Sequence, residues 1–188
     1  MSLLTVAQVQ DWVPQAAGEE GLLADAIEMA EAIADEYCDR PLLAIARTEY
    51  HTIEERQASV QLRAYPVDTT AAFTVLEDAE SDTPTTLDSG DYILDNTAGI
   101  LYRDSGYWLP GPRNLKVTYT AGYTGATLPA GLRRALLQLV AWVLESRGSV
   151  GTKQESVDGH QWTSEDMDGA VPASIGAALR PWKAVRIG

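Results

Sequence analysis

The amino-acid sequence predicts an α+β fold. It comprises a small helical bundle (two N-terminal helices plus a long helix near 129–147), an antiparallel β layer from the middle of the chain and an extended C-terminal arm. Three observations predict it. Apolar residues recur at three- and four-residue spacing before residue 40 and again after residue 129. Between them lie alternating polar and apolar runs rich in Val, Ile, Thr and Tyr, separated by turn residues. After Arg147 glycines accumulate and aliphatic residues thin out. This reading gives a core over 1–147, with helices at 5–13, 19–38 and 129–147 and a β region at 46–120, followed by an arm over 148–188.

The first helix starts at Thr5, which can cap it. Gln8 stands three residues on as the capping-box partner, Leu4 and Val9 form a hydrophobic staple, and Pro14 marks the stop. In the second helix Leu23, Ile27, Ala30, Ala34 and Tyr37 fall on one stripe, and Asp25, Glu28, Glu31, Asp35 and Glu36 populate the rest. Asp39-Arg40-Pro41 ends it. Pro129 suits the first turn of the long helix, where its missing N–H costs nothing. Leu132, Leu136, Leu139, Val140 and Val143 then make its buried face. Pro172 can start a last short helix carrying Ile175 and Leu179.

For the β region, Arg47–Ile53 and Ala58–Tyr65 are expected to pair around the polar turn Glu54-Glu55-Arg56-Gln57. Ala72–Leu76 adds a strand, and residues 77–90, acidic and rich in Ser, Thr and Pro, read as a solvated loop. Asp91–Asp95 and Gly99–Tyr102 form a hairpin about Asn96-Thr97-Ala98. A second loop, 104–114, leads into a strand from Leu115, with Val117 and Tyr119 on one face and Lys116, Thr118 and Thr120 on the other.

Composition limits the function. With 45% apolar residues and five tryptophans the chain folds, and no apolar run reaches the roughly 20 residues of a membrane span. The N-terminus lacks the pattern of a signal peptide, and the single cysteine, Cys38, suits a reducing compartment, so a cytoplasmic chain is expected. The net charge of −13 is uneven: residues 1–110 hold 5 basic and 21 acidic side chains, and residues 111–188 hold 9 and 6. Either this is ordinary solvated surface, or the two ends of the molecule meet different partners. No basic stripe exists to neutralise phosphates, which argues against sequence-specific DNA binding. Candidate chemistry is sparse. Cys38 has no neighbouring base, His51 and His160 lie far apart, and the carboxylates at 78, 80 and 82 lack the glycine and terminal glutamate of a calcium loop. Neither an enzyme nor a cofactor is expected.

Several segments in order carry a resemblance: "LTVAQVQDWV", "AIADEYCDRPL", "LRAYPV", "DYILDNTAGILY" and "VTYTAGYTG" followed by "LPAGLRRALLQLVAWVLESR". The series resembles the head–tail connector family of tailed bacteriophages and gene transfer agents, also called adaptor or head-completion proteins. The likeness covers most of residues 3–147 and continues through "ESVDGHQWTS" and "VPASIGAALRPWK". It implies a structural virion protein, assembled as a ring, commonly of twelve, between the portal protein and a tail-side connector or stopper. Double-stranded DNA would pass through without specific binding, and no membrane is involved. The expected location is the head–tail interface of the virion, with host cytoplasm during assembly.

In that family the C-terminal segment tends to anchor on the portal. Here it carries Trp162, Arg180, Trp182, Lys183 and Arg186, large aromatics and cations suited to an acidic groove. Tyr107, Trp108 and Leu109 form an apolar loop tip suited to a subunit or tail contact, unless Trp108 folds over its own sheet. Glu28, Glu31 and Asp35 are candidates for a negative channel wall, with solvated exterior as the alternative. Two other readings stand beside the connector: a non-viral binding or regulatory α+β module, and a tail-terminator or stopper protein.

Overall fold

The computed structural model describes residues 2–14, 18–148, 167–168 and 171–184. The chain folds into two compact units: Met1–Arg40 with Thr124–Ala184, and Pro41–Tyr123. The first is helical and the second is built from antiparallel sheets.

In the helical unit, α1 spans Val6–Trp12 and α2 Glu20–Cys38. The predicted capping box at α1 is present. Thr5 Oγ1 accepts the Gln8 N–H at 3.2 Å, and Gln8 Oε1 accepts the Thr5 N–H at 3.0 Å, which satisfies donors that a helix start leaves open. α2 ends at Asp39, held left-handed at φ 53°. It buries Leu23, Ala26, Ile27, Ala30, Ala34 and Cys38; Cys38 rather than Tyr37 completes the stripe, and Tyr37 sends its hydroxyl to the Gly176 carbonyl at 3.0 Å. The alanines let α3 come close to α2.

In the sheet unit come β1 (Ile45–Ile53), β2 (Ser59–Gln61), β3 (Thr74–Glu77), β4 (Thr85–Thr86), β5 (Tyr92–Asp95), β6 (Ile100–Arg103) and β7 (Gly111–Ala121). Returning to the helical unit, the chain forms α3 (Ala130–Gly148), β8 (Met167–Asp168), β9 (Val171–Pro172), α4 (Ala173–Leu179) and a 3-10 turn, Arg180–Trp182. One sheet runs in the order β1-β7-β3-β4 and another in the order β2-β6-β5, while β8 and β9 pair with each other. The two larger sheets share a core of Ile53, Val60, Leu62, Val75, Leu101, Trp108, Leu115, Val117 and Tyr119.

Three expectations are corrected. The segments 47–53 and 58–65 do not form a hairpin. β1 pairs with β7, from Ile45 opposite Ala121 to His51 opposite Leu115, and β2 pairs with β6. The turn between them is tight, with Arg56 at φ 62°, yet it passes the chain from one sheet to the other, because the eleven-residue β7 offers β1 a far longer ladder than the three-residue β2. The segment 77–90 is not wholly loop: β4 pairs with β3. β7 begins at Gly111, so the end of the expected loop 104–114 is strand. The hairpin about 96–98 forms as predicted, with Asp95 Oδ1 accepting the Thr97 and Ala98 N–H groups at 3.1 and 3.0 Å.

Candidate functional site

The described C-terminal residues are built into the helical unit. α4 buries Ile175, Gly176 and Leu179. Arg40, itself buried, donates from Nε to the Trp182 carbonyl at 2.7 Å, and the Ala184 N–H reaches the Cys38 carbonyl at 2.7 Å. Lys183 Nζ sits 4.3 Å from the Tyr37 ring centroid, a cation–π contact. The Trp182 ring lies where a Cβ on Gly131 would come within 2.9 Å, so a side chain there would push the ring aside. Arg134, Arg180 and Lys183 are exposed. Trp182, between Arg180 and Lys183 in sequence, is half-buried. Trp162 and Arg186 lie outside the described residues.

This packing also explains Cys38. Burial pushes its thiol up to about 11, against a smaller opposite pull from the Arg40 cation. At neutral pH it stays protonated and unreactive.

The acidic helix separates its three candidates. Glu28 is exposed. Glu31 is engaged within its own unit: its Oε1 accepts the Ser2 hydroxyl and the N–H groups of Leu3 and Leu4, at 2.7 and 3.3 Å for the two amides. It therefore fastens the N-terminal segment, whose Leu3 and Leu4 are buried. Asp35 is half-buried, its carbonyl accepting the Arg40 N–H at 3.2 Å.

The loop tip is likewise divided. Trp108 is 1% exposed and belongs to the core of the sheet unit, whereas Tyr107 and Leu109 are 56% and 47% exposed. Trp108 donates its backbone N–H to Gln57 at 2.9 Å and lies under Arg103, whose Cζ is 5.6 Å from the ring centroid. Arg103 is held in turn by the Asp91 carbonyl at 2.8 Å and by Glu77 at 3.7 Å. An apolar surface at this loop therefore consists of Tyr107 and Leu109, with Trp108 as their foundation.

Sequence reasoning missed a polar cluster on the inner face of β1. Glu49, 7% exposed, accepts the Tyr119 hydroxyl at 2.6 Å and the Arg63 N–H at 3.1 Å, and the same hydroxyl oxygen accepts the Ala64 N–H at 3.2 Å. His51 Nε2 stands 3.3 Å from Oε2 of the carboxylate, a close polar contact without hydrogen-bond alignment. Burial alone would raise the Glu49 carboxyl; the contacts with His51, Tyr119 and Arg63 outweigh it and hold the group below its usual range. Burial and the neighbouring carboxylate push Tyr119 well above the usual phenol range. The cluster ties β1, β7 and the segment after β2 together. The one available sequence signal was that Arg47, Glu49 and His51 share the face of β1 that ends in buried Ile53.

Among the described residues no group of three His, Cys, Asp or Glu side chains is placed to hold a metal ion, and no helix is long and apolar enough to cross a membrane. No protein-family model matches the chain, and no curated protein matches it. Solved structures do share its fold. A chain from the neck of an empty gene transfer agent particle, computed with C6 symmetry, superposes with a TM-score of 0.67 at 19% identity, over 99% of this chain and 92% of that one. A chain from the virion of a native gene transfer agent particle gives 0.65 at 21% identity, over 99% and 92%. A chain from the neck of a native particle computed with C12 symmetry gives 0.63 at 20% identity, over 97% and 90%. The α+β architecture of this chain is thus the architecture of chains found in gene transfer agent particles, matched almost end to end.

Proposed function

We propose that this chain is a structural protein of the neck of a tailed particle: an adaptor that assembles as a ring between portal and tail, extends the DNA channel and completes the head. The observation that carries the reading is the end-to-end likeness to chains of two gene transfer agent neck structures, computed with C6 and C12 symmetry, and of one virion. The sparse chemistry fits a protein whose role is geometric. The thiol of Cys38 is protonated, His51 stands beside a buried carboxylate, and no metal cluster occurs among the described residues.

On this reading the homo-oligomer is a ring of twelve, with the portal protein on one side and a tail-side connector or stopper on the other. Exposed Arg180 and Lys183, on either side of Trp182 in sequence, suit an acidic groove on the portal, together with Trp162 and Arg186 of the same segment. Tyr107 and Leu109 suit a neighbouring subunit or the tail-side protein, and Glu28 is the member of the acidic trio that is free to face passing DNA. The test is electron microscopy and native mass measurement of the purified chain, alone and with a candidate portal protein. Closed rings on the portal vertex support the proposal; a chain that stays monomeric in both conditions and leaves the portal bare overturns it.

A further inference from the structure

Among the described residues no strand pairs with the outer edges of the three-stranded sheet β2-β6-β5, β2 on one side and β5 on the other. Both strands run antiparallel to β6 and therefore parallel to each other. Open edges present unpaired backbone groups, and proteins usually blunt them. Here the β5 edge is flanked by aspartates, whereas the β2 edge also carries arginines. β5 is bracketed by Asp91 and Asp95, with exposed Asp88 and Asp104 nearby. β2 is flanked by exposed Arg56 and Arg63, with exposed Glu54 and Glu55 directly before Arg56 in the same turn. On the outer face Ile93 of β5 lies opposite Tyr102 of β6, and the two are 56% and 40% exposed. An apolar row thus runs to the β5 edge and stops at solvent.

We infer that these edges mate head to tail between copies of this chain, β5 of one copy lying parallel against β2 of the next. The inference rests on the ring reading above and names the contact that would build it. The charge pattern selects this arrangement over its rivals. Two β5 edges would oppose aspartates and two β2 edges would oppose arginines, so isologous pairing is penalised on both sides. Placed β5 against β2, the acidic start and end of one strand meet Arg56 and Arg63 of the next copy, and exposed Ile93 is covered. A heterologous contact of this kind leaves one free edge of each type at the ends, which is the condition for closing a ring. Backbone pairing supplies affinity, and the flanking charges supply register.

Cross-linking tests it. Ser59 and Ile93 lie in one row across the sheet with Tyr102 between them, which puts them about 10 Å apart at two strand spacings. That is too far for a disulfide within one chain, and native Cys38 is buried. Mixed S59C and I93C chains should give a disulfide-linked dimer under mild oxidation, at a yield well above either variant alone, and the S59C/I93C double variant should give a ladder. R56E/R63E, at two exposed positions, should keep its thermal midpoint while raising the concentration for ring assembly about tenfold, an effect that shrinks in high salt. Rings that form without enriched cross-linking, or with unchanged assembly in R56E/R63E, overturn the edge contact and leave the ring reading standing. A chain that never assembles, alone or on the portal, overturns both.

Discussion

Glu49 is kept ionised inside a protein core because a hydroxyl and an amide N–H point at it and His51 stands beside it. Its folded carboxyl lies below the ordinary value of 4.5, so it contributes stability above that value, and the contribution is lost as pH falls through the folded one. Tyr119 works in the opposite sense. Its folded phenol lies above the ordinary value of 10.0, so its contribution is full below pH 10 and is lost as pH rises beyond. Thermal midpoints should therefore decline below about pH 4.5 and again above about pH 10. E49Q should cost about 2 kcal/mol at neutral pH, because its amide faces the Arg63 N–H, and should flatten the acid limb. Y119F should cost about 1–3 kcal/mol, because it strands both Glu49 and the Ala64 amide. A pH–midpoint curve for the wild type and both variants checks each statement.

At the scale of elements, the helices were legible because their signals are local. The capping box at Thr5 and Gln8, the alanine seam of α2 and the Leu/Val stripe of α3 lie within a few residues of one another, and all are observed. The partner of β1 was not legible: pairing is decided by which distant strand offers the longer ladder, and β7 lies beyond five other strands in sequence. The environment of Glu49 was hidden for the same reason: a glutamate reads as surface until Tyr119 and Arg63 are seen to meet it. For Trp108 the sequence left loop tip and sheet cover both open, and the packing under Arg103 decides for the second. The element-scale prediction concerns α2. E31K removes the acceptor for the amides of Leu3 and Leu4 and should lower stability by about 2 kcal/mol, whereas E28K at an exposed position should change it by less than about 0.5 kcal/mol. Only Glu28 is therefore a clean probe of channel charge. Chemical denaturation of the two variants distinguishes these outcomes.

At the scale of the molecule, the described residues of the sheet unit form one stretch, 41–123, whereas those of the helical unit come from before and after it. That difference decides how the protein responds to cutting. α4 supplies buried Ile175 and Leu179 to its unit, and the turn after it supplies the carbonyl that satisfies buried Arg40. Truncation after residue 170 would expose the surfaces of α2 and α3 against which α4 packs and leave the Arg40 guanidinium without that acceptor. Deletion of the terminal segment therefore removes core as well as any docking surface, and a loss of portal binding after it does not by itself report a docking site. The sheet unit, by contrast, holds its own apolar cluster and its own buried polar cluster between residues 41 and 123. A fragment of residues 41–123 should fold alone, with dispersed amide resonances and a cooperative thermal transition, and the chain lacking 171–188 should show amide protection retained over 41–123 and lost over α2 and α3. Uniform loss of protection across both units in the truncated chain would mean that the sheet unit depends on the helical one for its stability.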